Sequence, residues 1–338
     1  MRKRIVRFVL GVSMTVASVT TAMPQSIEEF YRGKQIELIS GSEPGSAYDS
    51  WARIFSQFMP KYIPGRPTFI VKDMPGAGHI KATNYLYSVA PKDGTSIGVL
   101  SQLMPTASVL KNKPGLLADF TKFHFLGSPD RTNQVCIVGR NAKVRSGADL
   151  FTTELTVGGA GAGGGISAIP TFLRDALGMK FKLIEGYKGA SDIMLAIDRG
   201  ELDGICETYQ GAIHNRPNAF IDGSLSLLFN IEEQPIPGTG APSVHQFIKD
   251  PEQEKIITFY SLNAQIGRPI VVPPGTPLDR VEALRKAFVA MCNDPEFLAE
   301  ATKQNLDPAP FPAAEMEETF RRILSTPQAI IDRAAKFM

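Results

Sequence analysis

Two glycine turns hold the residues best suited to chemistry. Gly41-Ser42-Glu43-Pro44-Gly45-Ser46-Ala47-Tyr48-Asp49 joins a strand-like run, Ile36 to Ser40, to a helix-like one, Ser50 to Met59. Asp73-Met74-Pro75-Gly76-Ala77-Gly78 follows a second strand-like run, Thr68 to Val71, and leads through His79 into another helix. A loop that leaves a strand's carboxyl end and enters a helix presents unpaired N–H groups and the positive end of a helix dipole. Such a loop attracts anions, and the chemistry expected of Ser42 to Asp49 is the holding of a carboxylate.

A third run, Gly159-Ala160-Gly161-Ala162-Gly163-Gly164, loosely fits the fingerprint of a dinucleotide loop. Glu185 follows at the end of the next strand, near where an acidic residue would hold a ribose. The mid-chain position argues against a nucleotide, as do the other two turns. One nucleotide does not need three glycine turns spread over two lobes, whereas an anion clamped between lobes does.

Catalysis leaves weaker marks. His79, His124, His214 and His245 show neither H-E-x-x-H spacing nor a paired cysteine, and no G-x-S-x-G elbow is present. His79 directly follows a glycine turn, so it reads either as a ligand contact or as packing at a helix start. Asp49 reads equally well as an N-cap. Tyr48 and Trp51 read as core or as a lid. Cys136, Cys206 and Cys292 are odd in number and in no C-x-x-C pattern, which makes small apolar core residues the plain reading. One disulfide among them stays open in an oxidising compartment. No metal or cofactor is expected.

The elements that must position these residues alternate. Strand, turn and helix repeat through Ser96 to Leu100, which indicates βαβ units and a parallel sheet with helices on its faces. Met104 to Ala118 reads as loops and short helical turns, and Phe123 to Gly127 and Gln134 to Val138 as two more strands. The theme restarts with strands at Glu154 to Val157, Phe181 to Ile184 and Leu202 to Cys206, and helices at Ile166 to Leu177 and Ala190 to Arg199. Leu225 to Asn230 and Arg268 to Val272 are further strands, the segment that contains Phe247 and Phe259 and leads to Arg268 reads as mixed and polar, and Leu278 to Met338 reads as helical.

The 338 residues suffice for two domains, and 43% hydrophobic with 21% charged residues describes an ordinary globular chain. Residues 1–25 stand apart. Arg2, Lys3, Arg4 and Arg7 precede the apolar run Phe8 to Val19 and the small residues Thr20-Thr21-Ala22, the order of parts in a secretory signal peptide. The alternative is an uncleaved anchor helix, for which the run is shorter than the roughly 20 residues a span needs. Without that segment, 36 basic residues become 32 against 34 acidic ones, and the net charge goes from +2 to −2. A near-neutral chain has no electrostatic footprint for nucleic acid or acidic membranes, so neither is expected as a partner.

Glu43-Pro44-Gly45-Ser46-Ala47-Tyr48-Asp49-Ser50-Trp51-Ala52-Arg53 resembles the first ligand loop and helix of the solute-binding receptors of tripartite tricarboxylate transporters, the Bug-type receptors. Met74-Pro75-Gly76-Ala77-Gly78, with Ala82 to Tyr87 and Ala90 to Thr95 behind it, resembles their second ligand loop. Gly186-Tyr187-Lys188-Gly189, Arg199 to Gly204 and Arg268 to Pro277 extend the likeness over nearly the whole mature chain. The sequence departs from the pattern at Gly45-Ser46, at Gly163-Gly164 and at His79, all where ligand choice should be made.

The resemblance implies an α/β, two-lobed type II periplasmic binding protein fold, with two crossing strands and a ligand cleft between lobes. The expected division is a signal peptide at 1–25, lobe 1 at 26–130 and 266–338, and lobe 2 at 131–265. The expected ligand contacts are Ser42, Glu43, Pro44, Gly45, Ser46, Ala47, Tyr48, Asp49, Pro75, Gly76, Ala77, Gly78 and His79 from the first lobe. The second lobe would add Gly161, Ala162, Gly163, Gly164, Tyr187, Glu207, Thr208 and Tyr209. The implied role is capture of a small carboxylate, di-, tri- or aromatic, in the periplasm by a monomer that delivers it to inner-membrane permease subunits. The competing readings are a ligand-sensing subunit of a signalling system and a secreted nucleotide-dependent enzyme.

Overall fold

The computed structural model describes residues 25–111, 114–161, 165–304 and 306–337. The expected signal segment up to residue 24 and the site candidates Ala162, Gly163 and Gly164 lie outside the described residues.

Eleven strands are described: β1 Gln35–Ser40, β2 Thr68–Asp73, β3 Ser96–Val99, β4 His124–Ser128, β5 Gln134–Gly139, β6 Leu155–Gly158, β7 Phe181–Ile184, β8 Gly204–Thr208, β9 Leu225–Asn230, β10 Ile270–Val272 and β11 Phe311–Pro312. They form two sheets. The first has the order β11-β4-β10-β3-β1-β2 and the second β7-β6-β8-β5-β9. The chain leaves the first sheet after β4, builds all of the second, and returns at β10. Both sheets are mixed rather than parallel throughout, which corrects the expectation from the βαβ pattern. β1, β2 and β3 run parallel, as do β6, β7 and β8, but β10 and β11 run antiparallel to their neighbours and β5 is antiparallel to β8 and β9. The antiparallel strands include those on either side of both passages between the sheets.

Side chains of period two divide the core. In β5, Val135 and Ile137 join an apolar cluster on one face, while Cys136 and Val138 join the other. In the first sheet, Ile36 and Leu38 face Trp51, Phe55, Phe288 and Phe297, all fully buried or nearly so. A 16-residue helix, Pro251–Ile266, occupies the segment expected to be mixed and polar. It is started by Asp250, whose carboxylate accepts the N–H groups of Glu252 and Gln253. Phe172 of the helix Gly165–Leu177 stacks on its Tyr260 with ring centroids 3.9 Å apart, and the helices Ala313–Ser325 and Gln328–Ala334 pack against it as well. It therefore braces one sheet's helices against the other's.

Cys136 and Cys206 form a disulfide, with Cα atoms 4.1 Å apart on paired positions of β5 and β8. The possibility left open by the sequence is thus realised, and Cys292 alone keeps the buried, unpaired role expected of all three. Among the described residues no helix is long and apolar enough to cross a membrane, and no cluster of three His, Cys, Asp or Glu stands ready for a metal ion.

Candidate ligand-binding site

Every expected site residue that is described falls at the carboxyl end of a parallel strand, in the loop that follows it or, for Ala47, Tyr48, Asp49 and Tyr209, in the first turn of the helix beyond that loop. Ser42 to Asp49 follow β1, and Pro75 to His79 follow β2, its parallel neighbour, with Ser40 opposite Asp73. Gly161 follows β6, Tyr187 follows β7, and Glu207 and Thr208 end β8, with Tyr209 next. In open α/β sheets this is where ligands sit.

The first two loops are built as one unit. Ser46 caps the helix Ala47–Phe58 by accepting the Asp49 N–H at 3.2 Å. Asp49 is therefore not the N-cap its position suggests. Its carboxylate reaches back to accept the Gly45 N–H at 2.7 Å and pairs with Arg53 at 2.8 Å, and Arg53 also reaches Asp73 at 3.2 Å, at the base of the second loop. Burial pushes the Asp49 carboxyl up, but the Arg53 guanidinium and the Gly45 N–H outweigh it and hold the pKa below the ordinary value. Asp49 thus fixes the shape of the first loop while staying almost fully buried.

The second loop carries unusual backbone. Gly76, Ala77, Gly78 and His79 all have positive φ, at 146°, 47°, 59° and 75°. Left-handed geometry costs an alanine or histidine free energy that helix packing alone does not require, and such strain concentrates at functional sites. Among the described residues nothing accepts the N–H groups of Gly76, Ala77, Gly78 or His79. Gly76, Ala77 and Gly78 are exposed, so these donors are open to a ligand.

His79 joins the loops to each other. Its Nε2 lies 2.8 Å from the Ser42 hydroxyl, and the ring is buried so closely over Gly41 that a Cβ there would come within 2.2 Å of Nδ1. Gly41 is required by that approach. Burial pulls the imidazole pKa down to about 4, so the ring is neutral at pH 7 and contributes a hydrogen bond rather than a charge. The Tyr48 ring meets His79 edge-on at 4.5 Å, and the Arg268 guanidinium lies 5.1 Å from the Tyr48 centroid. Arg268 pairs with the buried Asp130, which also accepts the Trp51 indole N–H at 3.2 Å. Trp51 is core, with no exposed surface, whereas Tyr48 is half-buried and links the loop to Arg268.

Asp130 and Arg268 are positioning residues that the sequence reading did not place at the site, although Arg268 heads one of the runs that carry the resemblance. They lie on the two passages between the sheets, and each stands beside a proline in the sequence, Pro129 before Asp130 and Pro269 after Arg268.

The second-lobe residues form a separate unit. The Tyr187 N–H donates to Gly159 O at 3.2 Å, which ties the loop after β7 to the loop after β6. Thr208 caps the short helix Tyr209–Asn215 through the Gly211 N–H, and Tyr209 packs its ring against Phe220. Glu207 is buried, its Oε1 has no partner among the described residues, and burial pushes its pKa up to about 7. Glu185, the residue expected near a nucleotide ribose, instead turns onto its own glycine loop and accepts the Gly161 N–H at 2.8 Å. Among the described residues, hydrogen bonds and ring contacts join the loops after β1 and β2 to each other, and hydrogen bonds join the loops after β6 and β7, but none runs between these two units.

Two sheets linked by two passages, with loops gathered at the carboxyl ends of parallel strands, define the architecture of two-lobed binding proteins. No family model and no curated protein matches the sequence. Solved structures do match the fold. A TctC solute-binding protein from Polaromonas, solved without ligand, superposes with a TM-score of 0.67 at 20% identity, over 90% of this chain and 99% of that one. A Rhodopseudomonas palustris protein with adipate gives 0.61 at 15% identity, over 90% and 97%. MatC from the same organism, with bound malate, gives 0.58 at 18%, over 90% and 98%. The resemblance read from the loops is thus met at the level of the fold.

Proposed function

We propose that the chain is an extracytoplasmic solute-binding receptor that captures a small carboxylate and delivers it to a tripartite tricarboxylate-type permease in the inner membrane. One observation carries this reading: four consecutive N–H groups, Gly76 to His79, without partners among the described residues and held in strained geometry beside the Ser42 loop. Carboxylate oxygens would accept these bonds, and charge assistance makes them stronger than bonds between neutral groups. With the proton of neutral His79 on Nε2 and donated to Ser42 Oγ, the Ser42 hydroxyl would add a further donor.

In this reading lobe 1 comprises residues 26–130 and 266–338 and lobe 2 residues 131–265, and the second-lobe residues engage the ligand when the lobes close. The open and closed states then differ by the free energy of those contacts. The malate and adipate of the structural neighbours are small carboxylates, which supports the ligand class. A monomer in the periplasm fits this role.

The test is a thermal-shift screen of residues 26–338 against carboxylic acids, their amides and nucleotides. A ligand at about 100 times its Kd stabilises the fold by about 2.7 kcal/mol. A shift with a carboxylate and none with its amide is expected. A shift with nucleotides alone would overturn the proposal.

A further inference from the structure

The glycine loop after β6 already holds an anion, and that anion belongs to the protein. Glu185 Oε2 accepts the Gly161 N–H at 2.8 Å and the Ser167 hydroxyl at 3.1 Å, while the same hydroxyl accepts the Ala160 N–H at 3.1 Å. The carboxylate lies directly over Gly159, where a Cβ would come within 2.4 Å of Oε2 and 2.8 Å of Ser167 Oγ. Any other residue at 159 would push the glutamate off its seat. The position is the mouth of the 13-residue helix Gly165–Leu177, where N–H groups and the helix dipole favour one negative charge. That place is taken.

A second anion arriving here would meet a filled seat and a like charge. Two strands across, at the end of β8, the buried Glu207 adds another carboxyl with an unpartnered oxygen. The first lobe is the opposite case, since its N–H groups from Gly76 to His79 have no internal anion.

We infer that Glu185 is a specificity-determining residue that limits the ligand to molecules with a single anionic group. The carboxylate sits on the first-lobe loops, and the far end of the molecule is uncharged or cationic. This rests on the receptor reading above and narrows its substrate class, setting aside di- and tricarboxylates. Discrimination arises from repulsion and from a Gly161 N–H and a Ser167 hydroxyl already taken by Glu185, the negative half of specificity. Lys188, exposed three residues beyond Glu185 in the loop after β7, is a cation to which a second carboxylate would turn instead.

The experiment is isothermal titration of the mature chain with matched sets: butyrate, succinate and 4-aminobutyrate; hexanoate, adipate and 6-aminohexanoate; benzoate and terephthalate. In whichever set binds, the single-carboxylate members are expected to bind at least about tenfold more tightly than the dicarboxylate. Glu185→Gln keeps an acceptor on the loop and removes the charge. It should raise dicarboxylate affinity by about tenfold and leave the monocarboxylate within about twofold. A wild-type protein that binds the dicarboxylate as tightly as its partner would overturn the inference, as would equal changes for both in the variant. Should Glu185→Gln fail to fold, Lys188→Ala decides. Dicarboxylate affinity unchanged in that variant sustains the inference, and a tenfold loss overturns it. If no member of any set binds, the receptor reading itself falls, a result distinct from binding without discrimination.

Discussion

The two glycine-rich regions solve the same local problem in opposite ways. After β2, the chain strains Ala77 and His79 into left-handed backbone and leaves four N–H groups without partners. After β6, it spends a carboxylate of its own, Glu185, on the loop. Glycine content alone therefore does not mark an anion site. What marks one is a glycine loop whose donors the protein has declined to satisfy, because an exposed donor run with strained geometry is stable only if the surrounding structure over-determines it. The surroundings of the first region do so through Asp49, Arg53 and Asp73 on one side and through Ser42, His79, Tyr48 and Arg268 on the other.

The strongest way to break this comparison is to remove the first region's support. Arg268→Ala leaves Asp130 buried with Trp51 as its remaining donor, and breaking a buried pair on one side costs about 3–5 kcal/mol. A fall of that size is expected in the urea unfolding free energy. Carboxylate affinity should fall with it, since Tyr48 loses the guanidinium that backs it. A variant of unchanged stability would show that the Asp130 pair is not the brace described.

The pH dependence sharpens the comparison, because His79 in the first region and Glu207, at the end of the strand beside the second, are each buried and respond with opposite signs. His79 has a pKa lowered from 6.5 to about 4, so its stabilising neutral form is fully present above 6.5 and is lost as pH falls toward 4. Glu207 has a pKa raised from 4.5 to about 7, so its contribution is fully present below 4.5 and is lost as pH rises toward 7. Each amounts to at most about 3 kcal/mol. Between pH 4.5 and 6.5 the two slopes oppose each other. Glu207→Gln should therefore expose a stability that climbs with pH across this window, and His79→Asn one that declines. Parallel slopes in the two variants would contradict the assignment.

The smallest effect concerns strain. Ala77→Gly relieves the positive φ at the price of a more flexible unfolded chain, so a net gain of up to about 1 kcal/mol is expected in the same unfolding assay. A loss would mean that the alanine methyl packs better than its backbone suggests.

Much of this was legible in the residues. Pro-Gly turns between strand-like and helix-like runs located the ends of β1 and β2 and so both first-lobe loops, because glycine there answers a local backbone demand. The rest depended on tertiary contact. The helix Pro251–Ile266 is buried on several sides, so its apolar residues, including Ile256, Ile257, Phe259, Tyr260 and Leu262, show no single stripe of helical period. Its start was nonetheless written in Asp250-Pro251. Asp49 stood at a plausible cap position, yet Ser46, three residues earlier, made the cap and released the carboxylate for Gly45. The disulfide needed the antiparallel pairing of β5 with β8 across 70 residues, and Glu185 reached Gly161 across 24. Neither distance leaves a trace in local spacing.

The most direct test of the central claim is the amide spectrum. With the backbone N–H resonances of the mature protein assigned, a bound carboxylate is expected to move those of Gly76, Ala77 and Gly78 strongly downfield while the Gly161 resonance keeps its position, its acceptor still Glu185. Movement of Gly161 with Gly76 to Gly78 unchanged would place the anion on the wrong loop and contradict the account.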